Sequence, residues 1–189
     1  MKTALRIAVI GSHCTGKTTL CHQVRDTLVL RGYDCRLFEG IGRRIAARGF
    51  PLDQHCTMDT YFAFITAHMT NLAAAPSGIS LYDRSILDFA AYVRANANAS
   101  PGFDEMLVAL CRLSLISFDL VYYLPPEIIL VADGQRNTDI QYRSEVDRCL
   151  VDLLEQLGAE YVSVVGDTPI RLQRILQDLE PLLASSWSG

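Results

Sequence analysis

Lysine is almost absent from this chain. Of its 17 Lys and Arg residues only Lys2 and Lys17 are lysines, and the other fifteen are arginine. Positive charge is elsewhere supplied by arginine, so Lys17 marks a position where a compact ammonium is needed rather than a planar fork. Zinc-finger spacing is missing too. Six cysteines are scattered through 189 residues without a C-x-x-C pair, and the four histidines do not complete a finger pattern. Reduced, mostly packed thiols in a cytoplasmic protein are the expectation. There is no apolar run long enough to span a bilayer. The opening MKTALRIAVIGS runs straight into a glycine loop, which reads as a first strand and not as a signal peptide. The net charge of −4 argues against nucleic acid as a partner.

Half of the residues are hydrophobic, enough for the core of one domain, placed at 1–184 with a frayed tail at 185–189. Strand patterns at Leu5–Ile10, Tyr33–Phe38, Ile79–Tyr82, Leu120–Leu124 and Tyr161–Val165 alternate with helical ones. The helices are expected from Lys17 to Leu30, Gly40 to Arg48, after Thr57, after Ser85, from Phe103 to Ser117, from Gln141 to Leu157 and from Thr168. Such alternation predicts an α/β fold with a parallel sheet covered on both faces.

One motif carries the chemistry. GSHCTGKT, residues 11–18, fits G-x-x-x-x-G-K-[ST] through Gly11, Gly16, Lys17 and Thr18. It lies between a strand and a helix, the context in which successive backbone N–H groups and a helix N-terminus cradle phosphate. Ser12, His13, Cys14, Thr15 and Thr19 complete the candidate nucleotide site, with His13 read as a spacer. Lys17 would reach the β- and γ-phosphates of ATP, and Thr18 would help to hold Mg²⁺. The dinucleotide pattern G-x-G-x-x-G is missing, and so is the base-reading N-K-x-D of GTPases. The third strand ends in LYDRS, so Asp83 is followed by Arg84 and not by a water-activating glutamate. Glu39 ends the second strand. Strand C-termini face the ligand crevice of such sheets, so Lys17, Glu39 and Asp83 should converge.

GSHCTGKTT, EGIGRR, LYDRSILDFAAY and DGQRNTDIQYR form an ordered series that resembles the P-loop nucleoside and nucleotide kinase superfamily. Within it, the chain is most similar to AAA-labelled ATP-binding proteins related to ribosylnicotinamide kinase, and more distantly to thymidylate kinases. The resemblance implies a three-layer α/β/α fold with strand order 2-3-1-4-5. It implies ATP- and Mg²⁺-dependent phosphoryl transfer to a small acceptor, a nucleoside or nucleotide. Asp83 would hold the metal, Arg84 would face the phosphates or the acceptor, and Glu39 would take the acceptor's proton. Arg136, with Arg143 as a second candidate, would match the arginines of a flexible lid.

Several residues keep two readings. Arg43 and Arg44 either bind an acceptor phosphate or are solvated charges on a short helix. Asp88 either meets an acceptor hydroxyl or closes the capping box Ser85-Ile-Leu-Asp88. Tyr61 and Phe62 fit an apolar core stripe, whereas Phe64 lies off it and could reach a base. An acceptor-free ATPase and a non-catalytic ATP-binding module remain the rival functions, and a homodimer stays open.

Overall fold

The computed structural model describes residues 4–74, 77–96, 100–127 and 139–186. The described strands are β1 (Ala4–Ile10), β2 (Cys35–Phe38), β3 (Gly78–Asp83), β4 (Leu120–Tyr123) and β5 (Val162–Ser163). All pair in parallel, in the order β2-β3-β1-β4-β5. The described helices are α1 (Lys17–Leu30), α2 (Gly42–Ala47), α3 (Met58–Ala73), α4 (Ile86–Ala95), α5 (Pro101–Leu115), α6 (Ile140–Leu157) and α7 (Thr168–Ser186).

Side-chain alternation along the central strand β1 divides the core in two. Leu5, Ile7 and Val9 pack with Leu20, Val24 and Leu28 of α1 and with Ile175 and Leu179 of α7. Ala8 and Ile10 face the other way, into a layer built from α3, α4, α5 and α6. The result is the expected three-layer α/β/α arrangement.

Local signals place most boundaries. Thr57 caps α3 through the Thr60 N–H, and Ser85 caps α4 in a capping box closed by Asp88. Three expectations need correction. The helix expected from Phe103 begins at Pro101, because the Ser100 hydroxyl caps it and a proline suits the first turn. The fifth strand is only two residues long, since β5 lies at the sheet edge and pairs with β4 alone. The last helix starts at Thr168 as expected, but Thr168, which the sequence offers as its cap, already belongs to the helix; Asp167 is the cap, its carboxylate accepting the Ile170 N–H at 3.0 Å.

Candidate active site

The loop between β1 and α1 is held in shape by groups drawn from four parts of the chain. Gly11 has φ +147°, and a Cβ there would lie 2.5 Å from the Leu124 carbonyl oxygen, so only glycine fits. The Gly11 N–H donates to Asp88 Oδ1 at 3.0 Å. Gly16 turns the chain into α1 with φ +85°. Lys17 Nζ donates to the Ser12 carbonyl and to Thr15 Oγ1, the latter at 2.9 Å. The ammonium is thus folded back on the loop, at the position from which it can meet phosphate oxygens.

The end of β3 brings its acid to the same place. Thr18 Oγ1 donates to Asp83 Oδ2 at 2.6 Å. The other oxygen, Asp83 Oδ1, is buried and has no hydrogen-bond partner among the described residues. A buried carboxylate oxygen without a donor is suited to a cation or its water shell, so Thr18 and Asp83 fit Mg²⁺. Among the described residues no cluster of three His, Cys, Asp or Glu side chains could cage a metal. One carboxylate beside substrate phosphates is how Mg²⁺ is usually held.

Arg84 follows with φ +79°, a left-handed backbone that costs an arginine of order 1–3 kcal/mol. Its amide is bonded to the Val9 carbonyl at 3.0 Å, which fixes the turn. The guanidinium lies 5.6 Å from the Tyr92 ring centroid and 3.7 Å from Asp88 Oδ1. Asp88 therefore fulfils the capping reading and does more. Its Oδ2 accepts the Ser85 N–H at 2.8 Å, while Oδ1 serves Gly11 and Arg84. Burial pushes its carboxyl up, and Arg84, Lys17 and the two N–H donors pull it back.

A cavity of about 690 Å³ joins the phosphate loop to an open side between β2, α2 and α3. Glu39, Arg43, Arg44 and Phe64 line it together with Lys17, Asp83 and Arg84. Glu39 is exposed and lies 3.6 Å from His22 Nε2. Arg43 and Arg44 are exposed on α2. Phe64 is half-buried and stacked on Phe89, with centroids 5.0 Å apart. Phe62 is corrected: it is 53% exposed, because α3 turns only one side to the core and Phe62 follows buried Tyr61 by 100° around the axis. Arg143 is buried in the first turn of α6 and does not line the cavity. Arg136 lies outside the described residues.

His13 is likewise corrected from a spacer to a packing element of the loop. It is 6% exposed, its Nδ1 is 3.1 Å from the Tyr92 hydroxyl, and its ring lies against Tyr92 and Tyr142. Arg171 escapes sequence reasoning altogether. It is 1% exposed, donates to the Thr15 carbonyl at 2.7 Å and pairs with Glu127 at 3.0 Å. Glu127 in turn accepts the Gly166 N–H at 2.9 Å. One clue was present: Arg171 falls four residues before Ile175 and eight before Leu179, on the buried stripe of α7. Arg171→Met should lower unfolding stability by about 1–3 kcal/mol, because the Thr15 carbonyl loses a charged donor. Denaturant unfolding of the nucleotide-free protein measures it; an unchanged midpoint would remove Arg171 from the support of the loop.

Burial pushes the Lys17 amine down to about 7, with Arg84 adding to the shift and Asp88 and Asp83 opposing it. Phosphates would favour the ammonium and move this value up again. Binding of a nucleoside triphosphate should therefore take up protons above pH 7, with uptake fading below it, where the amine is already charged. Calorimetric titration at pH 8 in buffers of different ionisation enthalpy reads the uptake directly. Lys17→Ala should abolish it.

Strand, glycine loop, helix, Lys17 and the Thr18–Asp83 pair define the P-loop class of nucleotide-binding folds. The chain belongs to the AAA domain family, whose sequence profile matches residues 6–171. No curated protein matches the sequence. Solved structures share the fold at low identity. Thymidylate kinase from Ehrlichia chaffeensis superposes with a TM-score of 0.66 at 14% identity, covering 94% of this chain and 99% of that one. The NadR protein in complex with NR gives 0.74 at 20%, over 95% of this chain and 51% of that one, so this chain spans about half its length. Deoxyadenosine kinase from M. mycoides with bound dATP gives 0.65 at 16%, over 93% and 99%. No described helix is long and apolar enough to cross a membrane.

Proposed function

We propose that this protein is a kinase that transfers the γ-phosphoryl group of ATP, with Mg²⁺, to a small acceptor of the nucleoside or nucleotide class. One observation carries the reading: a single cavity holds both the phosphate loop and a second compartment bounded by Glu39, α2 and α3. An enzyme that only hydrolyses ATP needs room for one water, and a passive ATP-binding module needs no acid beside a second compartment.

Phosphoryl transfer depends on in-line positioning and charge stabilisation more than on covalent chemistry. In this reading Lys17 and the loop N–H groups hold the phosphates. Arg84 lies between loop and acceptor, where charge develops on the moving group. Glu39, on the acceptor side, accepts the proton of the attacking hydroxyl; for a phosphate acceptor already ionised it orients that group instead. Thr18 and Asp83 would hold Mg²⁺, which neutralises charge on the β- and γ-oxygens. Arg43 and Arg44 bind the anionic part of an acceptor that carries one.

The test is incubation of the protein with Mg-ATP and a pool of nucleosides, nucleotides and other small metabolites, read by mass spectrometry. A new phosphorylated species that disappears with Lys17→Ala is the expected result and names the acceptor. ADP formed at the same rate with and without every acceptor would replace the kinase by an ATPase.

A further inference from the structure

Helix α6 carries an acid, Asp147, that is not among the residues lining the cavity. Its carboxylate is fixed from one side. The Tyr123 hydroxyl, at the C-terminal end of β4, donates to Oδ2 at 2.7 Å, and the Tyr123 ring packs edge-on against Tyr161. The other oxygen, Oδ1, is buried and has no hydrogen-bond partner among the described residues, and the same holds for Ser12 Oγ in the phosphate loop. The two groups are nonetheless neighbours: the Ser12 hydroxyl acts on the Asp147 carboxylate, as do the charges of Lys17 and Arg143. A buried donor beside a buried acceptor, each without another partner, is a hydrogen bond prepared but not closed. Ser12 also faces the other way, since its carbonyl accepts the Lys17 amine. One residue thus ties α6 to the lysine of the loop. We propose that Asp147 is a positioning residue of the phosphate loop: its Oδ1 accepts the Ser12 hydroxyl as phosphates draw the loop around them, and Ser12 in turn sets the Lys17 amine.

Burial pushes the Asp147 carboxyl up, and Tyr123, Ser12, Lys17 and Arg143 pull it back. Arg143 lies one turn earlier on α6 and is itself buried, so its charge acts on the carboxylate where water screens poorly. Two effects of opposite sign compete at Asp147. Its charge repels bound phosphates, and its bond to Ser12 orders the loop that holds them. Arg143 offsets the first effect and leaves the second, so ordering is the larger. An ionised acceptor also makes the stronger hydrogen bond. The inference rests on the phosphate loop and on no acceptor, because Asp147 acts through Ser12 and not through the cavity.

Calorimetric titration of the full chain with Mg-ADP tests it, with no acceptor and no turnover. Asp147→Asn keeps an oxygen for the Tyr123 hydroxyl and gives up the charge. It should weaken Mg-ADP by about 10-fold, the scale of one hydrogen bond to a charged group, and Ser12→Ala should do the same. The double variant should again lose about 10-fold and not about 100-fold, since either change removes the one bond. Denaturation midpoints without nucleotide should show no such coupling, because the bond closes only around phosphates. If Asp147→Asn does not fold, Tyr123→Phe takes its place in the cycle with Ser12→Ala, as Tyr123 tethers the same carboxylate, and the same non-additive loss is expected. Three results would overturn the proposal: Mg-ADP bound equally or more tightly by a folded Asp147→Asn, which would leave Asp147 a mere nearby charge; losses that add in the double variant; or the same coupling in the midpoints, which would make the pair part of general stability. Failure of the kinase reading would leave all these affinities as they are.

Discussion

Lys17→Ala should lower Mg-ATP turnover by about 10³-fold, the upper scale for removing one preorganised donor from a developing charge. Lys17 is 4% exposed, and its amine is held by the Ser12 carbonyl and Thr15 Oγ1. It therefore waits in a low-dielectric site already aimed at the loop's concave side, where its charge is least screened. Lys17→Arg should not restore activity, since a planar guanidinium does not fit a pocket shaped for a single amine. The nucleotide-free variants should remain folded, as the amine's burial opposes its charge and so contributes little to stability. Steady-state turnover with circular dichroism as the folding control decides it. Activity within tenfold of wild type in folded Lys17→Ala would sink the assignment.

Asp83→Asn should cost about 10²–10³-fold in turnover, again on the scale of lost electrostatic stabilisation. The amide keeps the size of the carboxylate and can still accept the Thr18 hydroxyl. It replaces the buried, partnerless Oδ1 by an NH₂ donor or leaves a neutral oxygen there. Neither substitutes for negative charge next to a cation. The signature is a raised Mg²⁺ requirement at fixed ATP, with the affinity for ATP measured in EDTA within about twofold of wild type. An unchanged Mg²⁺ dependence would take Asp83 out of the metal's surroundings. This variant separates the two halves of the site: Lys17→Ala should weaken nucleotide binding with or without Mg²⁺, Asp83→Asn only with it.

Both variants change residues that were legible in the sequence, and for the same reason. The phosphate loop is a local motif; eight consecutive residues carry its turn, its donors and its lysine. The cap at Thr57 and the capping box at Ser85 each span only four residues. Start and stop signals, the last of them Arg31-Gly32, bounded α1, which spans Lys17–Leu30. The convergence of Glu39 and Asp83 on one crevice followed from parallel strands ending on the same side, and both line the cavity. The strand order did not come from periodicity. It was an implication of the family resemblance, and the pairing of β1 with both β3 and β4 agrees with it.

What the sequence by itself determined is therefore local: the α/β alternation, the loop that takes phosphate, the helix caps and the strand-end acids. Tertiary structure alone decided how that loop is held and what faces it. Arg171 reaches the Thr15 carbonyl across 156 residues of chain, and Asp88 reaches the Gly11 N–H across 77. No spacing rule encodes such distances, because side chains far apart in sequence meet only when helices pack on the sheet. The exposure of Phe62 and the burial of His68 have the same origin. A hydrophobic pattern shows that α3 has an inner face, but only the packing of α3 against α2 and α4 determines which part of that face meets the core and which meets the cavity.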